Sequence, residues 1–473
     1  MAEEAKLKGN KALQANQFLE AVDHYTEAIR LNDSNAIYYA NRAQAEIKLE
    51  QYGAAIADCD KSLEVDPTYF KALYRRGVAK SMLLRYKEAY DDFAGVLKLK
   101  PSDANTKRLQ NEMSKHMRRI AFEKAIQSED EDVFDFDLEH IPLEQTYEGP
   151  KLDITFDKET RDVTLGGLTD SWMQELIKFY KDGGKLPRKY LYALLMKAHQ
   201  VLKQEPAYKE IKTSEIGDFT VVGDVHGQYY DLINMFTKNG FVHEKHGYLF
   251  NGDLVDRGSW SVEVIVTLLF YKILYPDHLH INRGNHETDG MNKMFGFADE
   301  VKHKHGAKPL AMFQEIFTEM PLLTLINDDY LVMHGGLISN PTMTLAELKD
   351  KVTKLSNPRE GVEMELLWSD PQEEEGFGTS KRGIAFQFGP DITRQFCDTN
   401  NLKAIIRSHE VRMGGYSEEH DGKCITVFSA PNYCDSTGNI GAVINFKDEL
   451  EYFTFEAVEH PAVPPMAYTS QRF

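Results

Sequence analysis

The sequence predicts a multidomain chain: an N-terminal all-α repeat array, then an α/β domain whose loops carry the chemistry. Three observations lead there. Residues 2–103 fall into three units of 34 residues. Residues 128–148 hold Glu129, Asp130, Glu131, Asp132, Asp135, Asp137, Glu139, Glu144 and Glu148, with no Lys or Arg. Beyond them, six apolar runs each end in a cluster of His, Asp or Asn. At 473 residues the chain is long enough for two or three domains. The expected boundaries are 1–103 for the repeats, 104–150 for a capping helix and acidic linker, 151–460 for a catalytic domain and 461–473 for a regulatory tail.

Composition narrows the class. The chain is 42% hydrophobic and 27% charged, ordinary for a soluble globular protein. Its net charge of −19 argues against a nucleic-acid binder, which needs a basic face. Cys59, Cys397, Cys424 and Cys434 show no paired spacing. They read as reduced thiols, which predicts a cytoplasmic or nuclear location. The start, MAEEAKLKGN, has no signal-peptide core, and no apolar run is long enough for a membrane span.

The repeats come first in the chain. Gly9, Ala43 and Gly77 share one position of the 34-residue unit, Ala21, Ala55 and Ala89 a second, and Tyr25, Cys59 and Phe93 a third. Asp33, Pro67 and Pro101 stand near the unit ends. Small residues let two antiparallel helices approach, a larger one fills the gap, and Pro stops the second helix. This pattern resembles the tetratricopeptide repeat. Three such units stack into a superhelix with a concave face. Lys6 and Asn10, then Asn41, then Lys71 and Arg75 fall on the first helix of each unit. Residues four apart share a helix face. Two amides and three cations on one wall suit a peptide carboxylate. They resemble the carboxylate clamp of tetratricopeptide domains that hold the acidic C-terminus of heat-shock protein 90.

From about 105 to 126, Leu109, Met113, Met117, Ile120 and Phe122 form the apolar stripe of a capping helix. The acidic stretch after it is expected to be a solvated tether, its Val133, Phe134, Phe136 and Leu138 docking weakly at most. The chain is expected to become globular again near Thr169, with amphipathic helices over 172–180 and 188–202.

The apolar runs 219–222, 248–250 and 279–281 lead into GDVHG, GDLVDRG and RGNHE. The runs 330–333, 403–406 and 424–428 lead into HGG, RSHE and SAPNYCD. Buried strands followed by Gly place polar side chains on loops at strand ends, where α/β sheets usually hold their chemistry. Carboxylates and imidazoles without thiolates suit Mn, Fe or Zn. The expected ligands are Asp224 and His226 for one ion and Asn285, His334 and His409 for another, with Asp253 shared. Two such ions clamp a phosphate oxygen and a water that ionises near neutral pH. Arg257 and Arg382 can fork onto phosphate. His286 can protonate the leaving group, with Asp256 holding its ring. Tyr433 suits packing or direct contact equally.

These motifs, with LLWSDP at 366–371, resemble the phosphoprotein phosphatase family of Ser/Thr phosphatases, in particular its repeat-bearing branch. The resemblance implies a β-sandwich flanked by helices, a dinuclear metal site, and direct hydrolysis of phosphoserine or phosphothreonine by a metal-bridging hydroxide. It also implies autoinhibition by the repeats and a brief C-terminal helix, relieved by chaperone peptide or fatty acid. Two other readings remain: a nuclease or nucleotide diesterase on the same metal site, and a scaffold with an inactive phosphatase half. RGNHE, LLWSDP and SAPNYCD weigh against the first, and the complete ligand set with the His286–Asp256 pair against the second.

Overall fold

The 34-residue period is a helix-pair period. In the computed structural model, which describes residues 1–126 and 132–469, helices α1 (Ala2–Gln14), α3 (Ala36–Lys48), α5 (Phe70–Met82) and α7 (Ala104–Ile126) start one period apart. Their partners α2 (Phe18–Leu31), α4 (Tyr52–Val65) and α6 (Tyr86–Leu99) do the same. The turn inside each pair uses a residue in the left-handed region at one repeat position: Asn16, Glu50 and Leu84, with φ of 60°, 61° and 59°. Pair spacing is set by size matching. A Cβ on Gly9 would stand 2.7 Å from the Tyr25 ring, and one on Gly77 2.8 Å from the Phe93 ring. The middle pair uses Ala43 with the smaller Cys59, both fully buried in one cluster. The extra methyl and the lost ring offset each other, so the pair stays closed. On α7, Leu109 and Met113 are buried. The Phe122 side chain, Glu129, Asp130, Glu131 and residues 470–473 lie outside the described residues.

Among the described residues the chain divides into two compact units: 1–126 with Gly378–Gln387, and 132–377 with 388–469. The second unit therefore starts inside the acidic stretch. That stretch is not a tether from residue 132 on. Phe134 and Leu138 are buried in the largest core cluster, with Val133 and Phe136 packed against it. Phe134 stacks on His199 at 4.4 Å, and the Arg161 guanidinium is hydrogen-bonded to the Phe134 carbonyl. The carboxylates hide this from the sequence because they point outward while alternate apolar side chains point inward. A hairpin follows, β1 (Asp153–Phe156) with β2 (Val163–Gly166), earlier than the expected return to globular structure. Helices α8 (Asp170–Lys181) and α9 (Arg188–Lys203) lie where the amphipathic pattern put them.

Two sheets then form a sandwich. The first, five-stranded, runs β16 (Leu450–Phe455), β15 (Gly441–Phe446), β4 (Asp218–Val222), β5 (His246–Asn251), β6 (Leu279–Asn282). The second, six-stranded, runs β13 (Tyr416–Glu419), β14 (Cys424–Val427), β12 (Ala404–Arg407), β8 (Tyr330–Met333), β7 (Leu323–Ile326), β3 (Tyr208–Ile211). Short strands β9 (Asp370–Pro371), β10 (Phe377–Thr379) and β11 (Phe386–Phe388) complete the set. Val221, Leu249 and Ile444 of one sheet meet Ile326, Val332, Ile406 and Val427 of the other. The outer face of the five-stranded sheet is covered by α8, α9 and by α10 (Tyr229–Asn239), α11 (Ser261–Leu274), α13 (Phe297–His305) and α14 (Lys308–Thr318), with α12 (Asp289–Phe295) leading into α13. Helix α11 is buried over its first twelve residues, and its sequence is accordingly mostly apolar on every face, with Glu263 and Lys272 as buried exceptions.

Strands β4, β5 and β6 are parallel neighbours in one sheet, and β8, β12 and β14 in the other. Their C-terminal ends share one edge of the sandwich, and a parallel bridge from Asp224 to Phe428 joins the sheets there. The tail at 456–469 has a turn and no helix among its described residues, unlike the brief helix expected. No helix among the described residues is long and apolar enough to cross a membrane.

Leu138→Ala should destabilise the catalytic unit by about 2–5 kcal/mol, the cost of a core cavity. A solvated tether would show almost no change. Thermal or urea unfolding of the full chain decides between them.

Candidate metal centre and its surroundings

Each of the six parallel strands delivers one loop to the shared edge. Gly252 and Gly284 let the loops after β5 and β6 touch: a Cβ on Gly252 (φ +86°) would meet Gly284 Cα at 2.5 Å, and one on Gly284 would meet Asp253 N at 2.3 Å. The contact brings Asp253 beside Asn285 and His286. His286 N–H donates to Asp253 Oδ1 (2.9 Å), and His409 N–H donates to Asp224 Oδ1 (3.0 Å).

The structure gathers all six expected ligands, each buried. His226 Nε2 is 3.6 Å from Asp224 Oδ2 and 3.5 Å from Asp253 Oδ2. His334 Nε2 is 3.3 Å from Asp253 Oδ1 and 3.1 Å from His409 Nδ1. Asp253 belongs to both groups of candidate ligands, one with His226 and His286, the other with His334 and His409. Backbone carbonyls select the tautomers. His226 Nδ1–H donates to Val255 O (3.0 Å) and His334 Nδ1–H to Asn251 O (2.8 Å). Each leaves its Nε2 lone pair aimed at the cluster.

One amide shows what the cluster requires. The inward atom of Asn285 lies 3.2 Å from both Asp253 oxygens, 2.8 Å from His334 Nε2 and 3.0 Å from His409 Nδ1. As oxygen it meets acceptors alone, which a cation satisfies; as nitrogen it donates to them. Burial, then the neighbouring Asp253 charge, pushes the Asp224 carboxyl up to about 7. Burial pushes His226 well below the usual imidazole range, and His334 down as well. Neutral imidazoles and crowded carboxylates are a donor set for divalent ions. The residues present fit a metal pair.

Beside the cluster, His286 Nδ1 is hydrogen-bonded to Asp256 Oδ2 at 2.8 Å. Asp256 is fully buried. Burial pushes its carboxyl up to about 7, while N–H groups of Phe297 and Asn292 pull it back. Arg257 lies 3.9 Å over the Phe295 ring. The Tyr433 ring packs on His226 (5.1 Å) and edge-on to Phe428 (5.4 Å). His226, Asp253, Asp256, Arg257 and His409 all have positive φ, from 45° to 73°. Such backbone is costly for non-glycine residues and marks a site held by its surroundings.

Arg382 is the other arginine expected to meet phosphate. It is half-buried in Gly378–Gln387, the segment grouped with the repeat helices, where Ala54 N–H donates to the Lys381 carbonyl (3.0 Å). Among the clamp residues, Asn10 Oδ1 accepts from Tyr25 OH (2.8 Å) and Asn41 Nδ2 (3.2 Å), and Arg75 donates to Asn41 Oδ1 (3.3 Å) and Ala40 O (2.7 Å). Lys6 pairs with Glu3, and Lys71 is exposed.

The sequence reading missed the supports. Glu287 Oε1 and Oε2 accept the N–H groups of Leu254, Asp253 and Gly284, each at 2.8 Å. Asn251 Nδ2 donates to Met333 O (2.8 Å) and Ser408 Oγ (3.0 Å), stitching one sheet to the other. Arg407, fully buried, pairs with Asp370 (2.7 Å) and Glu410 (2.8 Å), which gives LLWSDP and RSHE a shared purpose. The available signal was the polar residue at the end of each apolar run.

Comparison with known proteins agrees with this geometry. Residues 217–413 match the Calcineurin-like phosphoesterase family, and residues 110–210 match the PPP5 TPR repeat region. The fold and the metal-type edge thus define a metallophosphoesterase. The chain is 46% identical to a serine/threonine-protein phosphatase T of Aspergillus oryzae over 98% of this chain and 96% of the other. It is 44% identical to the human serine/threonine-protein phosphatase 5 over 99% of this chain and 93% of the other. A solved serine/threonine phosphatase from Saccharomyces cerevisiae superposes with a TM-score of 0.61 at 48% identity, covering 63% of this chain and all of the other. The chain therefore belongs to the family of serine/threonine-protein phosphatases named 5 and T, and it is a phosphoprotein phosphatase.

Asp370→Asn should leave the Arg407 guanidinium buried beside a neutral amide. Glu410 still pairs with it, so the expected cost is about 1–3 kcal/mol, the loss of one charge-assisted bond, read as a lower unfolding midpoint.

Proposed function

We propose that this chain hydrolyses phosphoserine and phosphothreonine in one displacement, without a phosphoenzyme, and that His286 is its general acid. The observation that carries this is the His286–Asp256 hydrogen bond of 2.8 Å, set against a wall of ligand-type atoms. A nitrogen of His286, one of His226 and an oxygen of Asp253 lie within 4.8 Å of one another.

In this reading Asp224 and His226 would hold one divalent ion and Asn285, His334 and His409 a second, with Asp253 available to either. When bound, a pair of Mn, Fe or Zn ions supplies charge neutralisation and a water acidic enough to attack at neutral pH. Arg257 orients the phosphate through forked hydrogen bonds, with Arg382 as a second cation on the strength of the family resemblance. Tyr433 walls the pocket. As the phosphorus–oxygen bond to the seryl or threonyl oxygen breaks, His286 gives that oxygen its Nε2 proton. Asp256 fixes the ring and favours the imidazolium that must be present beforehand.

The repeats are proposed to bind the acidic C-terminal peptide of heat-shock protein 90. Lys6, Lys71 and Arg75 would meet its carboxylates, and Asn10 and Asn41 its backbone end. Autoinhibition by the repeats, relief by that peptide or by a fatty acid, and a cytoplasmic and nuclear location belong to the same proposal. A deletion that tests autoinhibition should end before residue 132, because a cut at 150 would remove buried Phe134 and Leu138.

With Mn added, His286→Asn should lower kcat on a phosphopeptide by about 10²-fold or more, as loss of a general acid predicts. An unchanged kcat would remove His286 from the role. Lys71→Ala should weaken binding of a peptide ending in acidic residues by about tenfold, the worth of one charge-assisted bond, measured by calorimetry. Equal affinity would dismiss the clamp.

A further inference from the structure

The tail of the catalytic unit lies against the loop that carries Arg257. Met466 N–H donates to the Arg257 carbonyl (2.9 Å), while Arg257 N–H donates to the Phe295 carbonyl (2.9 Å). Both backbone groups of a residue with φ of 68° are thus fixed from outside. Two residues on, the Ser259 hydroxyl, 1% exposed, donates to Pro464 O (2.7 Å) and accepts Ala467 N–H (3.0 Å). Lys304 Nζ donates to the Ser259 carbonyl (3.1 Å) and lies 5.2 Å from the centroid of the Tyr468 ring. That ring also faces His303 at 4.8 Å. Met466 has φ of 51°, a conformation that costs a side-chain-bearing residue about 1–2 kcal/mol. The tail is therefore held in an unfavourable shape at the point where it meets Arg257.

We propose that residues 464–468 are a clasp that positions Arg257, with Ser259 as its central positioning residue. The proposal rests on the reading of Arg257 as a phosphate holder. A guanidinium fork must be placed to within a fraction of an ångström, and a misplacement of about 1 Å can cost about 10²-fold in rate. The side chain stands on a left-handed backbone that the tail braces on the carbonyl side and Phe295 on the amide side. Ser259 touches no substrate; it ties the tail to the loop. The clasp promotes activity, which is opposite in sign to a tail that blocks the site.

The test is a double-mutant cycle in the full-length chain with Mn: wild type, Ser259→Ala, Arg257→Ala, and both together. Two quantities are read, kcat/KM on a phosphopeptide and competitive inhibition by inorganic phosphate. Ser259→Ala should lower kcat/KM about tenfold and weaken phosphate inhibition when Arg257 is present, and change either by no more than about twofold in the Arg257→Ala background, since coupled residues are not additive. The same factor in both backgrounds, or a rise in activity, overturns the clasp. Unchanged phosphate inhibition in Arg257→Ala alone overturns the arginine's role, and the clasp with it, a failure distinct from additivity. If Ser259→Ala does not fold, Tyr468→Ala, which removes the ring against His303 and Lys304, enters the same cycle with the same expected and overturning results.

Discussion

Crowded buried acceptors are the constraint behind this catalytic unit. Two carboxylates, one amide and three imidazoles crowd the edge of the sandwich, and His226 and His334 direct lone pairs inward. Unpaired, such groups would be expensive to bury. Bound divalent cations would offset that cost, and the surrounding structure keeps the acceptors in place. Glu287 holds the two loops after β5 and β6 by three N–H groups. Asn251 ties β5 to β8 across the sandwich, and Arg407 binds the Asp370 and Glu410 carboxylates beneath His409.

The backbone carries the cost of this arrangement. Five site residues occupy the left-handed region. Each is braced by hydrogen bonds from a neighbouring loop, so rigidity is distributed over all six loops. The His286–Asp256 pair follows the same logic. His286 is oriented by Asp256, and Asp256 by Asn292 and the amide of Phe297. Orientation passes outward from the His286 ring to helices α12 and α13, of which α13 is anchored in the main core through Phe297, Ala298 and Val301.

The repeat unit solves a different problem with local means. Each helix pair closes by fitting a small residue against a large one, and the middle pair shifts both sizes together. Neighbouring pairs then bring first helices side by side, which is how Asn10, Asn41 and Arg75 come to share hydrogen bonds.

Much of this was legible in the sequence. Period and size pattern gave the repeats, because a helix pair repeats its contacts at a fixed spacing. Six apolar runs ending in polar clusters pointed to the clustered candidate ligands and the His286–Asp256 pair, because a buried strand must expose its chemistry where it ends. Tertiary structure decided the rest. Phe134 and Leu138 are core residues in an acidic stretch, since burial depends on which side chains a neighbouring surface accepts and not on the net charge of the segment. Arg382 falls in a segment grouped with the repeat helices, and Ser259 meets a tail about two hundred residues away in sequence. Contacts between distant segments leave no period in the chain, so their partners are defined only when the two sheets close and bring the loops together.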